Sequence, residues 1–257
     1  MARASRKLIC LLLLCAAALA AQSSRFVFAV VADPQIGMKD EAADRDQFAR
    51  VAAALNALRG SSRPAFVLLA GDLVNDAKSE SQRSAFETIR QSIDFPIHSV
   101  PGNHDARPSA PARFSFDHQG CLFLGLDSNL WNQSDRAPAQ EQFAWLEAQL
   151  RARDRYRLVF VLQHHPLYLH DPEEKDEYFN TPLAWRDPLL RLFESARVTA
   201  FLAGHLHRNT TGWRRGMAML VTSSSLNNFD GIPPGFRLVE VNSAGFNETY
   251  LPLPAKP

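Results

Sequence analysis

Five of the eight histidines fall in three short stretches, Gly102-Asn103-His104-Asp105, Gln163-His164-His165-Pro166 and Gly204-His205-Leu206-His207. Two acidic stretches, Asp33-Pro34-Gln35 and Gly71-Asp72, complete the set. Carboxylate, amide and imidazole donors without a thiolate suit Mn, Fe, Zn or Ni and argue against a structural zinc site. Seven candidate ligands exceed the needs of one ion. A two-metal centre, with ions about 3.5–4 Å apart and one carboxylate shared, would use them all. Taken singly, Asp-Pro-Gln could be a turn or a helix cap and Gly-Asp is commonplace. The order of the five stretches, and their placement, points to chemistry.

That placement is set by strands. Arg25 to Ala32, Pro64 to Ala70 and Ile97 to Val100 are apolar runs of strand length. Between them, Asp44 to Leu58 and Ser79 to Ile93 carry apolar residues at helical spacing, giving the βαβαβ rhythm of a parallel sheet. Phe114 to Phe116 and Cys121 to Leu126 flank a hairpin signal, Pro138 to Arg153 reads as an amphipathic helix, and Tyr156 to Gln163 and Val198 to Ala203 are buried strands with a helix near Pro188 to Ala196 between them. The tail, Met217 to Ser223 and Phe236 to Val241, is expected as antiparallel strands closing a second sheet. Each metal-ligating stretch follows a strand, and carboxyl ends of parallel strands form the crevice in which ligands bind. The expected fold is α/β, with two packed sheets and helices outside.

Composition narrows the function. The 257 residues are 46% hydrophobic and 21% charged, enough for a sizeable core. Lys+Arg 28 against Asp+Glu 27 offers no surplus for phosphate-backbone binding, so nucleic acid is not an expected partner. Residues 1–20 read as a signal peptide: Arg3, Arg6 and Lys7, then an apolar run, then Ala18-Leu19-Ala20 as a small-x-small cleavage site. The run from Leu8 to Ala21 is too short for the roughly 20 residues of a spanning helix. Residues 23–257 are then a single exported domain, periplasmic or secreted, with no anchor left after cleavage. Its one cysteine, Cys121, sits in an apolar run and reads as a small buried hydrophobe.

The order Asp-x-(His/Gln), Gly-Asp, Gly-Asn-His-Asp, His, Gly-His-x-His resembles that of the calcineurin-like metallophosphoesterases and spans Asp33 to His207. Within that superfamily, Asp33-Pro34-Gln35, Gln163-His164-His165-Pro166-Leu167-Tyr168, Tyr178-Phe179-Asn180 and Gly204-His205-Leu206-His207-Arg208-Asn209 are similar to the branch containing the complete serine/threonine-protein phosphatase of animals, which also carries Gln where most relatives have His. The resemblance implies a four-layer α/β/β/α sandwich of two mixed β-sheets. It implies that Asp33, Gln35 and His207 hold a first divalent ion, that Asp72 bridges, and that Asn103, His164 and His205 hold a second. His165 is then second to His164 and faces the substrate.

On this reading the chain is a dinuclear metal-dependent phosphoesterase acting on phosphomonoesters, of small molecules or phosphoproteins. A metal-bridging hydroxide attacks phosphorus, and His104, next to ligand Asn103, is the general acid. Asp105 is expected to hold the His104 imidazole and raise its pKa, and Asn103, His165 and Arg208 to meet the phosphate. The metals are expected to be Mn, Fe or Zn, with Gln35 favouring Mn or Mg at a labile first site. A phosphodiesterase using the same centre is the rival enzyme. A non-catalytic protein that binds phosphate ligands on the same fold is the rival of another class.

Overall fold

The computed structural model describes residues 25–105 and 112–254. The expected signal peptide, residues 1–20, lies outside them. Four helices surround two sheets: α1 (Glu41–Ala57), α2 (Glu80–Gln91), α3 (Ala137–Leu150) and α4 (Leu183–Ser195). The first sheet contains β1 (Phe26–Val31), β2 (Val67–Leu69), β3 (Ile97–Ser99), β10 (Gly235–Asn242) and β11 (Gly245–Pro252), in the order β11-β10-β1-β2-β3. The second contains β4 (Phe114–His118), β5 (Cys121–Gly125), β6 (Leu158–Leu162), β7 (Ala200–Ala203), β8 (Thr210–Arg214) and β9 (Met217–Val221), in the order β4-β5-β6-β7-β9-β8. Both sheets are mixed, with parallel centres β1-β2-β3 and β5-β6-β7-β9.

Strand alternation divides the apolar residues into three layers of core. Phe26, Phe28 and Val30 of β1 point between the sheets and meet Cys121, Phe123, Phe160 and Leu202 of the second sheet. Ala29 and Val31 point the other way, against Phe48, Val51 and Leu55 of α1 and Phe86 of α2. On the far side Leu122, Leu124, Val159 and Val161 meet Leu146 and Leu150 of α3 and Leu189 and Phe193 of α4. The result is the four-layer α/β/β/α order. Rings fill the middle layer: Phe28 lies 5.4 Å from Phe66 and 5.2 Å from both Phe123 and Phe160, centroid to centroid. Cys121 is buried in that layer, as its run implied, and burial pushes its thiol up.

Two expectations change. The tail strands do not close the second sheet together. β9 joins it parallel to β7, whereas β10 crosses to the first sheet and pairs antiparallel with β1, covering an edge that would otherwise lie open. Alternation identifies a strand and leaves its neighbour unspecified. The helix expected to start near Pro188 begins at Leu183, with Pro188 inside it. The chain enters it from Pro182, and fully buried Arg186 ties its first turn to the preceding loop.

Capping side chains set two helix starts, that of α1 three residues before the expected Asp44. Asp40 accepts from Ala43 N and caps α1, and Ser79 accepts from Gln82 N and caps α2. In α1 Asp44 also accepts from Gly37 N and Lys39 N, which fastens the loop that follows β1. Among the described residues, no helix is long and apolar enough to cross a membrane.

Candidate metal centre

The loops after β1 and β2 run side by side beyond their strands, through Asp33 N to Gly71 O at 3.2 Å and Gln35 N to Asp72 O at 2.8 Å. The loops after β6 and β7 do the same through Gly204 N to His164 O at 3.0 Å. Eight non-glycine residues among those described have positive φ, and five are Asp33, Gln35, Asp72, His205 and His207. The other three, Gln119, Arg197 and Arg215, stand at two hairpin turns and the end of α4. Left-handed backbone in an L-residue persists only where the surroundings impose it, and such residues gather at functional sites. The glycines of the motifs have a steric reason. A Cβ on Gly102 would stand 2.1 Å from Asp72 Oδ1, and one on Gly71 (φ +85°) 2.6 Å from Gly102 N.

Three imidazoles are held alike. His164 Nδ1 meets Ala70 O at 2.7 Å, His205 Nε2 meets Tyr178 O at 3.2 Å, and His207 Nδ1 meets Asn227 O at 2.6 Å. Each carbonyl takes the N–H of that nitrogen and turns the other ring nitrogen inward, the orientation a metal ligand needs once that second nitrogen is deprotonated. Those other nitrogens are crowded. His164 Nε2 is 3.3 Å from Asp72 Oδ2, 3.1 Å from Asn103 Oδ1 and 3.1 Å from His205 Nδ1. His207 Nε2 is 3.5 Å from Asp33 Oδ1.

Asp33, Asp72, His164, His205 and His207 are all buried. Among the described residues no Lys or Arg pairs with Asp33 or Asp72. Burial alone would push the Asp72 carboxyl up, yet His164 overrides it and holds Asp72 below the usual carboxylate range. Burial likewise lowers His164, and the Asp72 and Asp33 carboxylates override it, raising the ring to about 10. Burial and His164 lower His205 to about 3, so that ring is neutral. Two buried carboxylates thus pull both His164 and His207 toward their charged forms, where divalent cations would satisfy them more fully. Gln35 adds an orphan. Its Nε2 donates to Asn75 Oδ1 at 3.3 Å, while its buried Oε1 has no hydrogen-bond partner. The donor set fits two divalent ions.

Other expected residues lie around this cluster. His165 is held by Ser128 Oγ at 2.8 Å and borders an adjoining cavity, and Arg208, exposed, borders another beside His205. His104 N donates to Asp72 Oδ1 at 2.9 Å, and its Nδ1 contacts Asn75 O at 2.8 Å. Asp105 does not hold the His104 ring. Its carboxylate accepts from Gly102 N at 2.8 Å, Leu73 N at 2.8 Å and Val74 N at 3.3 Å, stitching the loops after β2 and β3 together. Burial raises this carboxyl to about 6 against the pull of those amides. A carboxylate three residues from Gly102 finds free backbone N–H groups before it finds an imidazole.

Tyr178 is the contact the sequence did not single out for the centre. Its carbonyl anchors His205, and its hydroxyl accepts from Asn103 Nδ2 at 2.8 Å. Residues 170–180, an acidic stretch whose sequence fits either a solvated surface loop or a rim of the site, carry Tyr178 and lie at that rim. Glu174 accepts from Leu169 N, His170 N and Asp171 N, and Arg186 donates to the carbonyls of Pro172, Glu174 and Thr181. Asn75 and Asn227 were missed as well, because they act at His104 and His207 through backbone oxygens.

The family model for calcineurin-like phosphoesterases matches residues 26–209. The Serine/threonine-protein phosphatase CPPED1 of Danio rerio is 31% identical over 265 residues, covering 89% of this chain and 85% of that protein. The Bos taurus protein of the same name is 32% identical over 264 residues, with 89% and 84% covered. A solved dimetal phosphatase from Danio rerio overlays with a TM-score of 0.67 at 15% identity, covering 88% of this chain and 98% of that one, a likeness of fold.

Proposed function

Because the chain belongs to the calcineurin-like phosphoesterase family and is a metal-dependent phosphoesterase, we propose that it is an exported phosphatase hydrolysing phosphomonoesters at a dinuclear centre. Asp33, Gln35 and His207 would hold one divalent ion and Asn103, His164 and His205 the other, with Asp72 available to both. The observation that carries this reading is that the three rings, each with one nitrogen on a carbonyl, turn the other inward: His164 to Asp72, His207 to Asp33 and His205 to His164. Two such ions supply Lewis acidity toward the phosphoryl group and lower the pKa of the attacking water.

The chain's own groups do the rest. As an imidazolium, His104 gives its Nε2 proton to the leaving oxygen and is left as the neutral ring whose Nδ1–H stays on Asn75 O. Its partial exposure leaves the ring within reach of substrate. Arg208 offsets the third charge of a monoester. Gln35, a neutral oxygen donor, would hold its ion loosely and favour Mn or Mg relative to softer metals. The CPPED1 relatives, at 31 and 32% identity over 89% of this chain, support phosphatase action, while a phosphodiesterase matches at 28% over 84% of it; the leader-like order of residues 1–20 supports export.

Hydrolysis of p-nitrophenyl phosphate beside bis-p-nitrophenyl phosphate, each with Mn, Zn, Mg or EDTA, tests the reading. Preference for the monoester, lost with EDTA, is expected. Preference for the diester would install the rival enzyme, and no turnover with any metal the non-catalytic rival. His104→Ala is expected to lower kcat by about 10²-fold or more while metal content stays intact. Loss of metal instead would make His104 a ligand.

A further inference from the structure

Two cavities adjoin the metal centre, and their walls differ in chemistry. One, of about 490 Å³, reaches His165 and is bounded by Asn103, Asp105, Asn129, Asp176, Glu177 and Tyr178 among others. The second, of about 320 Å³, reaches His205 and is bounded by Tyr168, Leu169, Phe179, Leu206 and Phe229, with Arg208 as its cationic side chain. Its volume is that of a small-ligand pocket. Its apolar wall starts at the metal-ligating rings. Phe229 stacks on His207, centroids 5.0 Å apart at 11°, and Phe179 lies 6.0 Å from His205.

These rings are open to solvent, Phe179 by 47% and Phe229 by 57%, with Leu169 beside them at 37%. Clustered exposure of large apolar groups marks a surface that meets a ligand. Phe179 is also held in place. The next residue, Asn180, is buried and bonded to Glu174 Oε1 at 2.7 Å and Lys175 O at 3.1 Å, and Arg186 clamps the loop on both sides. A wall that cannot collapse into the gap remains available to a ligand.

Charge chooses between the cavities. Three carboxylates border the first and no Lys or Arg does; Asp176 has Arg186 at 3.6 Å and Glu177 has Lys175 at 2.8 Å, but neither cation lines that space. The second has Arg208 and no carboxylate. An anionic ester approaches through the second.

We propose that the Phe179–Phe229 cavity seats the alcohol portion of the substrate, so that the preferred phosphomonoesters carry an apolar, ring-sized group within a few bonds of the ester oxygen. This inference rests on the phosphatase reading above. 2-Phenylethyl phosphate and ethyl phosphate test it, because both release a primary alcohol and differ in apolar bulk. With the Mn-loaded protein, kcat/KM is expected to favour the phenylethyl ester by about tenfold or more, chiefly through KM. Phe179→Ala and, separately, Leu169→Ala are expected to draw that ratio toward one with Mn content retained.

A ratio near one in the native protein, or a ratio that survives both substitutions, overturns the pocket and leaves the phosphatase reading standing. Hydrolysis of neither ester by protein that turns over p-nitrophenyl phosphate overturns the pocket alone, and no hydrolysis of any of the three overturns the phosphatase reading with it. A phosphoserine peptide turned over more efficiently than either ester also overturns the pocket, since a polypeptide would then be the occupant.

Discussion

The first sheet brings oxygen donors to the centre, and the second brings nitrogen donors. Asp33 and Gln35 follow β1, Asp72 follows β2 and Asn103 follows β3, whereas His164 follows β6 and His205 and His207 follow β7. Neither sheet alone offers a set that suits a borderline divalent ion; the mixture exists only where the two dock. The spacing of the docked sheets is set by the phenylalanine layer around Phe28, Phe123 and Phe160, distant in sequence from most of the candidate ligands. The centre is therefore a property of the interface between sheets as much as of the motifs that line it.

Asp72→Asn breaks the contrast at the oxygen ligand proposed to be shared. Turnover is expected to fall by about 10³-fold or more, with loss of bound metal by elemental analysis. Near-native turnover with both ions retained would remove Asp72 from its bridging place. Phe28→Ala tests the docking itself. It is expected to cost about 3–5 kcal/mol in urea unfolding and to weaken Mn binding, while Leu55→Ala, on the α1 side of the first sheet, costs about 2–5 kcal/mol and leaves Mn affinity near native. Equal Mn affinity in the two variants would detach the centre from the inter-sheet layer.

Gln35→His makes the two sheets more alike by placing a nitrogen donor on the first. The Mn concentration for half-maximal activity is expected to drop about tenfold, and an unchanged activation curve would mean that Gln35 is not a ligand. The smallest effect concerns the rim. Burial raises the Glu174 carboxyl, but hydrogen bonds from His170 N, Leu169 N, Asn180 and Asp171 N lower it from its ordinary 4.5 to about 2. A depressed carboxyl stabilises the loop above its unfolded value, and that support fades as pH falls from 4.5 toward 2. Hydrogen exchange at Leu169, His170 and Asp171 is expected to quicken over that window, and in Glu174→Gln to be fast throughout. Protection indifferent to pH would show that Arg186 alone holds the loop.

Much of this arrangement is legible in the residue order. Apolar runs ending in Asp33, Asp72, Asn103, His164 and His205 are strands that release their polar residue at a carboxyl end, and the helices between them announce a parallel sheet. The partner of β10 is not legible, since alternating burial at Val239 and Val241 fits an edge of either sheet. Nor is the engagement of Asp105, whose acceptors compete for every nearby amide. Residues 170–180 read as an acidic loop beside the site, either a rim or a solvated surface, but the pairing of Tyr178 with Asn103 is not legible, because a charged, turn-rich segment has no periodicity to place it beside a residue 75 positions away.

The three carbonyls that steady His164, His205 and His207 belong to Ala70, Tyr178 and Asn227, and every amino acid carries the same group there. Sequence drift at those positions can change size, charge or polarity without withdrawing the acceptor, provided the loop keeps its path. Inheritance of the imidazole orientation is thus entrusted to chain geometry, which a single codon change seldom erases. A lineage could lose every side chain at these three positions and still present the same lone pairs to the same ions.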